Sequence, residues 1–215
     1  MEEELEPIER SRICVEGVSL GDAFGEMFFS APQYLYEFPD DRELPPGPWR
    51  YTDDGVMAMG IHEVLEECGE IDRDRLAEIF ARRYTDEPWR GYGPGARGIL
   101  KEVAAGGSWR AASEGAFGGE GSYGNGAAMR VAPVGAYFAD DLAATVEQAE
   151  RAARITHSHP EGVAGAVAVA VAAAVSRRTR DRPAGAAGDR IFEEVLERTP
   201  GGEVREGLSG IAEFD

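Results

Sequence analysis

The residues best equipped for chemistry are three consecutive oxygen bearers, Thr52, Asp53 and Asp54, in "WRYTDDGVMAMG". Adjacent aspartates repel each other, and nothing basic follows them before an apolar run begins. Two readings fit. Asp and Thr cap helix N-termini by accepting from free N–H groups, and negative charge suits that end of the helix dipole. Two carboxylates and a hydroxyl are also the hard oxygen donors that magnesium takes, and a cation removes the repulsion between them. One cap residue suffices for a helix, and here there are three in a row.

Three further segments carry candidate chemistry. In "GVSLGDAFG", Gly17, Gly21 and Gly25 are four apart, which on a helix makes a bare stripe for close packing, with Asp22 beside it. In "GSYGNGAAMRVAP", glycines let backbone N–H groups approach a ligand, and the loop runs into a helix whose N-terminus attracts anions. That loop lacks the Gly-Lys-Ser/Thr of a nucleotide P-loop and is not a GxGxxG after a strand. In "THSHPEGVAGAVAVAVAAAV", Ser158 and Glu161 read as a capping box with Pro160 in the first turn. His157 and His159 then stand at the start of a buried helix, either holding a polar ligand or serving as ordinary loop residues. Their i, i+2 spacing argues against a helical zinc pair. His62 reads as a boundary residue, and Asp140 and Asp141, with no hydroxyl beside them, read as helix caps.

The elements that must position these groups are helices. Met57, Ile61, Val64, Leu65 and Cys68 recur on one helical face, as do Leu76, Ile79 and Phe80. Ile99, Leu100 and Val103 mark a short helix before "GGS". Further helices are expected over Leu142 to Arg154, Glu161 to Val175, Asp189 to Arg198 and Glu203 to Glu213. "ELPPGPW", "FGGEGSYGNG" and "DRPAGAAGD" are turns and loops. No alternating strand pattern and no internal repeat is evident. The fold class is all-α, and residues 1–215 read as one domain because the short helices need each other's apolar faces.

Composition narrows the partners. A formal charge of -18 over 215 residues repels phosphate backbones and anionic lipid, which disfavours nucleic acid and membranes. Its bland explanation is solubility. Lys101 is the single lysine among many arginines, which with abundant Ala and Gly suggests a bacterial source. Cys14 and Cys68 are too few for a disulfide framework. The acidic N-terminus is no signal peptide, and the apolar run from Val163 to Val175 is shorter than a membrane span. A reduced cytoplasm is the expected location.

Taken in order, "GVSLGDAFG", "YTDDGVMAM", "GYGPGARGIL…GGSW", "GSYGNGAAMRVAPVG" and "THSHPEGVAGAVAVA" resemble the ADP-ribosylglycohydrolase family, from Gly17 to about Val175 and weakly through "TPGGEVREGL". The resemblance implies a compact, orthogonal multi-helix bundle and a two-metal magnesium site. It also implies hydrolysis of the glycosidic bond joining ADP-ribose to a protein side chain or a small acceptor. Carried across by motif, Thr52, Asp53 and Asp54 are metal ligands, and Asp53 and Asp54 are also the catalytic acids. Ser122, Tyr123, Gly124 and Asn125 line the ADP-ribose site, His157 contacts the ligand, and Asp22 supports the site from behind.

Three departures accompany the resemblance. Phe29 stands where many members carry a glutamate, with Glu26 nearby but out of register. Gly55 replaces the second threonine of "TDDT". The family's later "GDxDT" metal motif follows the matched region, and this chain reaches "EFD" without it. Half of the metal cage is then present, and a fragment, half of a split protein and a natural truncation are all open. Uncovered apolar faces would favour self-association or a covering partner chain. The alternative to a hydrolase is an inactive ADP-ribose or nucleotide binder, or a structural member.

Overall fold

The computed structural model describes residues 5–31, 44 and 46–211. Among them there are ten α-helices and no strand. In chain order these are α1 (Pro7–Ser30), α2 (Asp53–Cys68), α3 (Arg73–Asp86), α4 (Pro94–Ala104) and α5 (Trp109–Gly115). They continue with α6 (Ala132–Tyr137), α7 (Leu142–Ala153), α8 (Pro160–Arg178), α9 (Ala184–Arg198) and α10 (Glu203–Ile211). A 3₁₀ turn, Ala116–Gly119, follows α5. "ELPPGPW" and the end of the α10 segment lie partly outside the described residues.

Helix α8 is the axle. Its small side chains let α6, α7 and α9 pack against it. Val163, Val167, Ala170, Val171 and Ala174 are buried on that helix. A Cβ at Gly135 of α6 would stand 2.0 Å from the Ala170 carbonyl oxygen, so the two backbones touch where no larger residue fits. By length and composition α8 could cross a membrane; 56% of the qualifying window is nonetheless buried inside the protein, as expected of a core helix.

Around this axle α1 packs on α2 and α6, and α3 bridges α2 and α4. Met57, Ile61, Val64 and Leu65 of α2 meet Leu76, Ile79 and Phe80 of α3 in the core. Burying each such side chain contributes roughly 1.5–3 kcal/mol. The orientation of α1 is fixed by Arg10, a buried residue that donates to the Tyr137 carbonyl at 3.0 Å and to Asp140 at 2.7 Å.

Several local expectations change. Cys68 is exposed, because α2 ends there on Gly69 in the left-handed region (φ 72°). Asp141 caps α7, accepting from Ala143 and Ala144, whereas Asp140 pairs with Arg10. The capping box does not form. His159 is the cap of α8, its Nδ1 accepting from the Glu161 N–H at 3.1 Å. Ser158 donates instead to the Ser113 carbonyl, and Glu161 accepts from the Glu203 and Val204 N–H groups at the start of α10. The stripe Gly17–Gly21–Gly25 is not a packing seam either. A Cβ on any of the three would meet nothing within 4 Å.

Candidate functional site

The site is assembled where the N-terminus of α2 meets α1. Thr52 is the backbone cap of α2, yet its side chain makes no capping bond. That work is done from α1. Asp22 Oδ2 accepts from the Thr52 N–H at 2.6 Å and the Gly55 N–H at 3.0 Å, while Oδ1 accepts from the Thr52 hydroxyl at 2.7 Å. A Cβ at Gly55 would lie 3.1 Å from Asp22 Oδ2 and 3.2 Å from Tyr51 Cβ. Glycine at 55 therefore lets the Asp22 carboxylate reach the helix end. With Asp22 capping α2, Asp53 and Asp54 are not needed for it.

Both aspartates are electrostatically frustrated. Burial, then the neighbouring Asp54 and Asp22, push the Asp53 carboxyl up to about 6, against a weaker pull from Arg130. Asp54 is also raised, by burial and by Asp22, with the Thr52 hydroxyl acting the other way. They face a cleft of about 570 Å³ walled by Gly21, Asp22, Gly25, Glu26, Phe29 and Thr52. Two glycines of the stripe, Gly21 and Gly25, thus line open space above the acids.

A second cavity, of about 200 Å³, lies on the other side of Asp53. Its walls include Met57, Phe117, Ser122, Gly124, Asn125, Arg130 and His157. The loop is drawn tightly against the turn before α8. Gly121 adopts φ +79°, and a Cβ there would fall 2.2 Å from Ser158 Oγ. A Cβ at Gly126 would fall 2.7 Å from the His157 ring. The loop does not run straight into a helix, since turns from Asn125 to Arg130 precede the short α6.

Arg130 underlies this cavity, fully buried with no ion pair among the described residues. It donates to the Ala152 carbonyl at 3.1 Å and the Thr156 hydroxyl at 2.9 Å, and its guanidinium lies 4.7 Å from the Phe80 ring centre. Burial lowers it to about 9, while Asp53 acts the other way. Thr156 Oγ1 is 2.7 Å from His157 Nδ1. Burial and the Arg130 charge hold His157 down to about 3, so the ring is neutral at ordinary pH.

The structure thus brings Thr52, Asp53, Asp54 and Asp22 into one cleft and Ser122, Gly124, Asn125 and His157 into the adjoining cavity, with Asp53 in both walls. Tyr123 turns outward, 69% exposed and edge-on to His159. His62 is half-buried beside Ser11. Sequence reasoning missed Arg130, Phe117, Met57 and the Gly93–Ala96 segment. A lone arginine among Met129 and Val131 was the available signal. Among the described residues no three or more His, Cys, Asp or Glu side chains are grouped to hold an ion. The oxygen donors at hand are Asp53, Asp54 and Thr52, whose hydroxyl keeps a free lone pair while donating to Asp22. Hard donors with two repelling carboxylates fit magnesium, which retains water in its remaining positions.

An all-helical scaffold carrying an acidic oxygen-donor cleft beside a glycine-loop cavity defines the class. The ADP-ribosylglycohydrolase family model matches residues 3–214, and the chain belongs to that family. It is similar to the chicken (Gallus gallus) ADP-ribosylhydrolase ARH3, 32% identical over 183 residues, covering 77% of this chain and 50% of that protein. Human ARH3 is 32% identical over 181 residues, covering 77% and 49%. An uncharacterized protein of Archaeoglobus fulgidus is 30% identical over 198 residues, covering 88% and 61%. The chain spans about half the length of its ARH3 relatives.

Proposed function

We propose that this chain carries the ADP-ribose cavity and the first acids of a hydrolase that cleaves the glycosidic bond between ADP-ribose and a protein side chain or small acceptor. The observation that carries this reading is Asp53, which lines both the loop-side cavity and the acidic cleft. A ligand seated against Ser122, Gly124, Asn125 and His157 has its reactive end beside a carboxylate. Breaking a ribosyl C1 bond develops oxocarbenium character, which Asp53 and Asp54 stabilise electrostatically. In the metal-free site burial and the neighbouring acids raise the Asp53 carboxyl to about 6, and a bound cation would relieve that strain by favouring the ionised form. Thr52, Asp53 and Asp54 would hold magnesium, which when bound supplies positive charge and acidifies its water. Asp22 orients this set through Thr52.

The second reading is a binder without turnover. It is favoured by Phe29, which puts a ring in the wall of the acidic cleft where many members have a glutamate. The experiment is release of ADP-ribose from an ADP-ribosylated peptide, with magnesium and with chelator, beside direct titration with free ADP-ribose. Magnesium-dependent release that is lost in Asp53→Ala supports the hydrolase. Binding without release supports the second reading, and neither binding nor release sinks both.

A further inference from the structure

Three buried groups run in series to the loop-side cavity: Arg130, Thr156 and His157. An arginine only donates, so at 2.9 Å the Thr156 oxygen accepts from Arg130 Nη2. The same oxygen stands 2.7 Å from His157 Nδ1. Among the described residues the Thr156 hydroxyl has no other acceptor, and Thr156 is 1% exposed. If Nδ1 carried the proton, that hydroxyl hydrogen would be buried unpaired, which costs more than the bond returns. The hydroxyl therefore donates to Nδ1. A neutral imidazole then carries its hydrogen on Nε2. Nε2 has no hydrogen-bond partner among the described residues and lies against the glycines of the loop, 2.9 Å from the Cβ position of Gly126.

We propose that Thr156, held by Arg130, is a positioning residue that fixes His157 as the Nε2–H tautomer, so that the ring offers the cavity a hydrogen-bond donor. The ligand atom it meets is an acceptor, a phosphate, hydroxyl or ring oxygen, and an amino group is refused there. Identifying that ligand as ADP-ribose rests on the function proposed above; the tautomer does not. Loss of the lock would leave the ring in place and let it flip its donor and acceptor ends.

The test reads the ring directly. In protein labelled with ¹⁵N-histidine, His157 is assigned among the three histidines by comparison with His157→Gln. The free wild-type protein should show an unprotonated Nδ1 and a protonated Nε2. Thr156→Val, nearly isosteric, should give a mixture of tautomers and weaken ADP-ribose binding by the factor by which the Nε2–H form is depleted, about twofold for an even mixture. Thr156→Ser should restore both. A wild-type Nδ1–H tautomer, or an unaltered tautomer in folded Thr156→Val, overturns the proposal. If the wild-type protein shows the Nε2–H ring but binds no ADP-ribose, the ligand assignment falls and the lock stands.

Discussion

The two sides of Asp53 are built on opposite principles. On the loop side the polar groups close on one another. Arg130, Thr156 and His157 are buried and linked in series, and the glycine loop is fitted against them to within van der Waals contact. On the acid side Asp22 is satisfied by Thr52 and Gly55, but the acids beside it are not balanced. Asp53 and Asp54 repel, a third aspartate, Asp22, adds to the repulsion, and the cleft above them is nearly three times as large. A finished pocket stabilises the fold and selects a ligand. A pocket of unbalanced like charge spends stability and draws a cation. Under the proposed function, recognition falls to one wall of Asp53 and chemistry to the other.

The largest expected effect breaks the fitted side. In Gly126→Ala the new methyl would lie 2.7 Å from the His157 ring, which Thr156 holds on its far edge. The ring must leave its position, and ADP-ribose binding should fall by about 100-fold, consistent with overpacking of a tight site. Magnesium binding should be unchanged, because Asp53, Asp54 and Thr52 sit on another element. Calorimetric titration with each ligand checks both halves. Equal loss of both would mean that the two sides are not independent.

How much of this was readable beforehand divides along the same line. The acid triplet, the glycine loop and the histidine turn stand out because their residue types are costly to place without a reason. Helical periodicity likewise located the faces of α2 and α3. Long-range partners were not legible. The cap of α2 comes from Asp22, 30 residues earlier, and Ser158 and Glu161 are recruited by Ser113 and α10, so the local capping pattern misled. The glycine stripe suggested a helix neighbour, whereas small residues can equally line a cleft, as Gly21 and Gly25 do. Arg130 is not legible locally because its partners, Thr156 and the Ala152 carbonyl, are distant in the chain.

The next effect separates the two sides by pH. The Asp53 carboxyl is raised from 3.8 to about 6, so its protonated form is favoured by folding. Its contribution to stability is present below 3.8 and lost as pH rises through about 6. His157 is lowered from 6.5 to about 3, so its contribution is present above 6.5 and lost as pH falls towards 3. The slopes oppose each other. Asp53→Asn should raise the stability of the metal-free protein at pH 7.5 by about 1 kcal/mol, water in the cleft screening part of the repulsion. Relative to wild type, that gain should grow as pH rises from 4 to 6, and the stabilisation by magnesium should be lost. Thermal melts from pH 4 to 8, with and without magnesium, make the measurement. A melting curve that Asp53→Asn leaves unmoved would remove the charge argument from the acid side.

The smallest effect tests where recognition stops. Tyr123 lies between Ser122 and Gly124, both in the cavity wall, but its ring is directed outward against His159. If the wall recognises its ligand through backbone and buried side chains, Tyr123→Ala loses one exposed edge contact, worth about 0.5 kcal/mol. ADP-ribose affinity should then change by less than about threefold, and the α8 cap at His159 should be kept. A tenfold loss would show that the tyrosine swings inward to cover the ligand. Recognition would then extend from the fitted cavity to its rim, and the boundary between fitted pocket and open solvent would lie one side chain further out.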